Sequence, residues 1–135
     1  MTTSLNRMNP PTLPDAGRVG YSQISVIPPG PLAFVSGQVA WRHDGDALSA
    51  DLEEQTGLVI ENLSHSLAAL DAEPEQIAQM RIYMTDLRPE TQEVVMTQLA
   101  KFLDGAQPSL TGIGVSALAS PELQLEIEMV VSLVA

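Results

Sequence analysis

The sequence predicts an α+β domain, a mixed sheet with two helices on one of its faces. Three observations predict it. Apolar and polar residues alternate in several short stretches, the longest being 123–133. Two other stretches, opening at Asp51 and Pro89, carry apolar residues at helical spacing. The two patterns occur in the order β-β-α-β-α-β-β, which lets the helices cover one sheet face and leaves the other open. At 135 residues the chain can bury a core of its own as a single domain.

Residues 1–17 lack periodicity and contain Pro10, Pro11 and Pro14, which predicts an extended lead-in to a domain spanning 18–135. The segment 21–27 reads as a short strand ended by Pro28-Pro29-Gly30-Pro31. The next strand covers 32–38, and its nearness to the first predicts an antiparallel pair. Residues 41–48 form a loop containing Asp44-Gly45-Asp46.

From Asp51 to about residue 72 the period is helical, with Leu52, Val59, Leu63, Leu67 and Leu70 along one stripe. Asp51 and Glu54 have the spacing of an acidic N-terminal cap. In 78–85, Ala78, Met80, Ile82 and Met84 alternate with Gln79, Arg81, Tyr83 and Thr85. Pro89 opens the second helix, whose stripe is Val95, Leu99, Phe102 and Leu103, and Asp104-Gly105 stops it.

Two strands close the chain. The first starts after Pro108 and alternates Leu110, Gly112 and Gly114 with Thr111, Ile113 and Val115. The second sets Leu125, Ile127, Met129 and Val131 against Glu126, Glu128 and Ser132. These two strands are expected side by side, so that small residues, which admit a ligand or another backbone closely, flank two carboxylates.

Composition excludes several function classes. The net charge is −11, with only six Lys and Arg residues, scattered from Arg7 to Lys101. A nucleic-acid partner needs a basic patch to neutralise phosphates, and none exists here. The same field repels anionic lipid. The chain has no cysteine, hence no disulfide, thiolate nucleophile or thiolate metal site. No apolar run approaches the roughly 20 residues of a membrane span, and the first residues do not resemble a signal peptide. A cytoplasmic location is expected.

The two histidines carry little chemistry. His65 lies opposite the apolar stripe, four residues after Glu61, as a surface pair would. His43 has no ligating partners placed near it, and Asp44-Gly45-Asp46 lacks the spacing of a calcium loop. No metal site is expected. Glu126 and Glu128 differ, because they share one strand face within an otherwise apolar run. Carboxylates so placed can hold or activate water, although the outer face of an amphipathic strand looks the same.

Several landmarks fall in the order of a known family. They are Gly20-Tyr21-Ser22-Gln23, Val35-Ser36-Gly37-Gln38, Glu61-Asn62-Leu63, Met84-Thr85-Asp86-Leu87, Pro108, and Leu125-Glu126-Ile127-Glu128. On these the chain resembles the RidA family (reactive intermediate deaminase, YjgF or L-PSP endoribonuclease-like) from Arg18 onward. The resemblance implies a chorismate mutase-like fold, a homotrimer with clefts between subunits, and no cofactor. Active members hydrolyse enamines and imines to a keto acid and ammonia. In them an arginine clamps the substrate carboxylate, and a glutamate of the last strand positions the attacking water.

Carried over residue by residue, Tyr21, Gly37 and Glu126 match, Glu126 in the catalytic position. The arginine does not match: its place, two residues after the proline, holds Leu110, and the family's frequent cysteine is Gly112. A charge-assisted bidentate contact contributes roughly 1.5–3 kcal/mol. Its loss, with Glu126 left facing the substrate anion, is expected to cost on the order of 100-fold or more in affinity for a carboxylated substrate. Arg18 and Arg42 lie near matched motifs as replacement cations. The expectation is a small-molecule cleft lined by Tyr21, Gly37, Leu110, Thr111, Gly112 and Glu126. It would serve an imine or enamine deaminase-like hydrolase whose substrate lacks the usual carboxylate. The alternative is a non-catalytic trimer that binds a metabolite or a protein. Ribonuclease action is disfavoured by charge.

Overall fold

The computed structural model describes residues 5–45 and 49–134. Among them the order is β1 (Asn6–Met8), β2 (Ile24–Val26), β3 (Leu32–Gln38), α1 (Leu52–Ala69), β4 (Ile77–Met84), α2 (Pro89–Leu103), β5 (Ser109–Gly114) and β6 (Leu125–Ser132). The main sheet has four strands in the order β3-β6-β4-β5, with β1 and β2 forming a separate ribbon. Strands β4 and β5 run parallel because α2 carries the chain back to the end at which β4 began. Strand β6 is antiparallel to both of its neighbours. The sheet is therefore mixed, with both helices on one face, as the alternation and the helical stripes predict.

Two expectations about strand neighbours are corrected, and the lead-in holds a short strand. The lead-in contains β1, which pairs antiparallel with β2 through Arg7 and Ser25. Strand β2 consequently pairs with β1 and not with β3, whose partner is β6. Three of the four residues in Pro28-Pro29-Gly30-Pro31 lack an N–H, so this segment cannot close a tight hairpin. It carries the chain across instead, and the Pro31 carbonyl accepts from the Leu133 N–H at 3.0 Å. Finally, β5 does not lie beside β6, because β4 separates them.

The core is built from the predicted faces. Val59, Leu63 and Leu67 of α1 and Val95, Leu99 and Leu103 of α2 are buried against Met80, Ile82, Leu125, Ile127 and Met129. The Asp51 carboxylate caps α1 by accepting from the Glu54 N–H at 3.1 Å. Asp104, in the left-handed conformation at φ 47°, ends α2. A buried glutamine, Gln55, ties α1 to the chain entering β6. Its Nε2 donates to the carbonyls of Ser49 and Glu122, each at 2.8 Å, and its Oε1 accepts from the Gln124 N–H at 2.9 Å.

The opposite sheet face carries Phe34, Arg81, Tyr83, Glu126, Glu128 and Val130, and no helix covers it among the described residues. Phe34, directly opposite Val130, is 75% exposed. No helix among the described residues is long and apolar enough to cross a membrane.

Candidate functional site

On the open face, the register of β4 and β6 sets Arg81 opposite Glu128 and Tyr83 opposite Glu126. The Tyr83 hydroxyl reaches diagonally and donates to Glu128 Oε1. Arg81 Nη1 lies 3.9 Å from the same oxygen. The hydrogen bond to Glu128 pushes the Tyr83 phenol above its ordinary pKa; partial desolvation and the carboxylate charge act the same way, and Arg81 opposes them. Glu128 is thus committed to two neighbours. No hydrogen bond or ion pair of the described residues engages Glu126.

The Glu126 side chain lies instead over Gly37. The β3–β6 register shifts between Val35 and Gln38, a bulge that places Gly37 under this carboxylate. A Cβ at residue 37 would sit 2.6 Å from Glu126 Cγ and closer still to its carboxylate oxygen. Glycine makes room here for the Glu126 side chain rather than for a backbone turn, since its φ is not in the left-handed region. Of the two glutamates, Glu126 is the one with oxygens free for a water or ligand.

Tyr21, Leu110 and Gly112 belong to the other face. In the parallel pair, Leu110 stands opposite Met80 and Gly112 opposite Ile82, so both point toward α2 with the core. With Tyr21 they line a cavity of about 520 Å³ between β5 and α2. Ile82, Met84 and Val95 form its floor, and Met96 and Gln92 contribute from α2. The segment carrying Tyr21 is held there by the Ser22 N–H, which donates to the Pro108 carbonyl at 3.1 Å. Thr111 stands opposite Arg81 and is exposed on the open face, away from its two strand neighbours.

The expected site residues therefore fall into separate groups within one chain. Tyr21, Leu110 and Gly112 share the cavity; Gly37 and Glu126 meet across the sheet's other face; Thr111 lies beside Arg81. An arginine at position 110 would consequently not face Glu126 of its own chain. The sequence pattern places Arg81, Tyr83 and both glutamates on one face, but only the strand order reveals the Tyr83–Glu128 contact. Of the apolar surround from Met84, Leu87 and Met96, the sequence pattern places only Met84 on a buried face.

Arg18 and Arg42 are exposed and enter none of the ion pairs of the described residues, which involve Arg81, Arg88 and His65. Arg18 adjoins Val19 at the rim of the apolar cavity. Arg42 lines a separate surface cleft of about 640 Å³ with Gln38, His43, Asn62 and His65. His65 Nε2 lies 3.6 Å from Glu61 Oε1, both well exposed, as the helical spacing predicts. Among the described residues no three His, Asp or Glu side chains converge as a metal site requires. Asp46 lies outside the described residues.

A model of the family described as Endoribonuclease L-PSP matches residues 14–133. The chain is similar to the RutC family protein YjgH of Escherichia coli, 29% identical over 103 residues that cover 76% of this chain and 78% of that protein. Among solved structures it is similar to YyfB of Yersinia pestis, a Rid family protein described as of unknown function. The TM-score is 0.88 with 32% identity, over 96% of this chain and 99% of that one. The structure of protein YjgH aligns with a TM-score of 0.65 and 31% identity, over 97% of this chain and 95% of that one.

Proposed function

The chain belongs to the Endoribonuclease L-PSP family, and on that premise we propose a cleft formed between copies of the chain that adds water to imine- or enamine-like compounds without a carboxylate. The observation that carries this reading is the division of the site. Glu126, a carboxylate without a hydrogen-bond or ion-pair partner among the described residues, and the Tyr21–Leu110–Gly112 cavity lie on opposite faces of one sheet, so only a second copy can bring them together. The uncovered sheet face bearing Phe34 supports such an assembly, a homotrimer by the family resemblance.

In this mechanism Glu126 accepts a proton from water as the water oxygen bonds to the imine carbon. That proton passes to the nitrogen, giving a carbinolamine. Glu126 then takes the hydroxyl proton and returns it to the nitrogen, so that the C–N bond breaks, ammonia leaves and the carbonyl forms. An enamine enters the same sequence after protonation at carbon. Tyr21 lines the cleft and offers a hydroxyl. Leu110 offers no charge, so a substrate carboxylate would have no clamp there. The −11 charge supports neither RNA binding nor RNA cleavage.

The test compares ammonia release from a neutral imine and from a 2-aminoacrylate-type imine. Wild type, Leu110→Arg and each with Glu126→Ala are assayed. Glu126-dependent turnover of the neutral imine alone is expected, with a partial gain on the carboxylated one in Leu110→Arg. Robust wild-type turnover of the carboxylated imine would sink the altered substrate class and direct attention to Arg18 and Arg42. Ligand binding without turnover of either imine would favour a non-catalytic binding trimer.

A further inference from the structure

We infer that the cavity beneath α2 receives an uncharged, apolar end of the ligand, a branched aliphatic or phenyl group, and that Gly112 lacks a side chain to leave room for it. The inference rests on the small-molecule cleft proposed above and names the class of compound that enters it.

Gly112 is the first reason. Glycine weakens a strand, so a glycine inside one calls for an explanation. Its φ is not in the left-handed region, and a Cβ there would meet nothing within 4 Å. Neither the backbone nor existing packing demands glycine. This contrasts with Gly37, where a Cβ would strike Glu126, and with Gly114, where it would touch Leu87 at 3.5 Å. What the absent side chain at position 112 leaves is volume, and that volume belongs to the cavity.

The lining is the second reason. None of the described residues around the cavity is charged, in a chain whose net charge is −11. Its polar groups are the Tyr21 hydroxyl and the Gln92 amide, enough to orient a neutral ligand. Met84 and Met96 bring flexible thioethers that adapt to the shape of an apolar guest. The charged residue following Leu87 in the chain, Arg88, is occupied by Asp86 at 2.8 Å and Glu90 at 3.1 Å.

The rim is the third reason. Val19 and Leu87 are 64% and 37% exposed, and an apolar group seated in the cavity would cover both. A volume of about 520 Å³ accommodates a leucine- or phenylalanine-sized group together with the reacting end of a small molecule.

The test uses the full chain and four probes: 4-methylpentanamide, 3-phenylpropanamide, 4-methylpentanoate and acetamide. Binding is titrated by ligand-observed NMR, with melting temperature and solution mass recorded for each variant. The two tailed amides are expected to bind, with the carboxylate and acetamide each about ten-fold weaker or more. Gly112→Val, which fills the space from a strand position that suits a β-branched residue, should weaken both amides about ten-fold with mass unchanged and melting temperature not lowered. Val19→Asp, at the exposed rim, should weaken them without touching the core.

Three results overturn the inference. One is failure of both tailed amides to bind wild type at about 10 mM, a generous limit for fragments of this size. Another is equal binding of the carboxylate, above all if Arg18→Gln removes it. The third is a change in mass with Gly112→Val while amide affinity holds, which would mean that a second copy fills the cavity. Glu126→Ala separates this inference from the proposed chemistry. Retained amide binding with no wild-type turnover upholds the cavity and fails the reaction. Glu126-dependent turnover indifferent to the tail does the reverse.

Discussion

The Glu126 side chain lies across the backbone of Gly37, with its Cδ 2.5 Å from where a Cβ on that glycine would stand. The obstructing atoms run from the Glu126 carboxylate back to its Cγ, so Gly37→Ala should force this side chain into another rotamer and displace the carboxylate while the strands stay paired. The expected cost in stability is about 0.5–1.5 kcal/mol, the scale of one off-rotamer side chain. Glu126-dependent turnover should nevertheless fall about ten-fold or more, since a small misplacement of a reacting group is costly. Chemical denaturation and the imine assay on the same sample check both parts. Unchanged turnover would remove Gly37 as the support of Glu126.

The Tyr83–Glu128 hydrogen bond makes a statement about pH. It raises the Tyr83 phenol above its ordinary 10.0. A raised value means the interaction contributes fully below the unfolded pKa and is lost as pH rises through the folded one. Absorbance titration of wild type minus Tyr83→Phe should give a midpoint above the ordinary value. Glu128→Gln should move that midpoint back down. A difference titration centred at the ordinary value would show that the bond does not persist in solution.

Phe34 tests the assembly. It is 75% exposed opposite Val130, so replacing it removes no core packing. Wild type is expected to have a trimer's mass by light scattering at micromolar concentration. Phe34→Glu should yield a smaller species with an unchanged circular dichroism spectrum, because a charge buried between copies is strongly disfavoured. A monomeric wild type would remove the shared cleft altogether.

Gln55 tests the fold beneath the site. Gln55→Ala strips partners from two carbonyls and one N–H in a buried position. The expected loss is about 2–4 kcal/mol in a urea titration. Gln55→Leu, which keeps much of the volume, should remain close to that loss, because the missing hydrogen bonds set it. Recovery in Gln55→Leu would assign the cost to packing instead.

Much of this architecture was legible in the residues. The stripe through Val59, Leu63 and Leu67 and the alternation of Met80, Ile82 and Met84 report burial directly, and burial has a period. Strand neighbours were less legible. Nothing in 109–114 or 125–132 says that β4 will come between them, since pairing depends on where α2 returns the chain. The same limit hid the site's division: the alternation separates Leu110 from Thr111, but the faces acquire meaning only once the helices are placed. Gln55 was missed for a different reason. A glutamine at the edge of an apolar stripe looks solvated until its three backbone partners are in place.

The placement of Tyr21, Leu110 and Gly112 on one face and of Gly37 and Glu126 on the other has a genetic corollary. On the shared-cleft reading, a copy that carries Glu126→Ala still lends a sound cavity to its neighbour. A copy that carries Gly112→Val still lends a sound carboxylate. Two impaired alleles should then complement one another when expressed together, with about a quarter of the clefts in randomly mixed assemblies free of both substitutions. Two alleles damaged in the same cluster should not. The thickness of one sheet would thus divide the gene's mutations into two complementation groups.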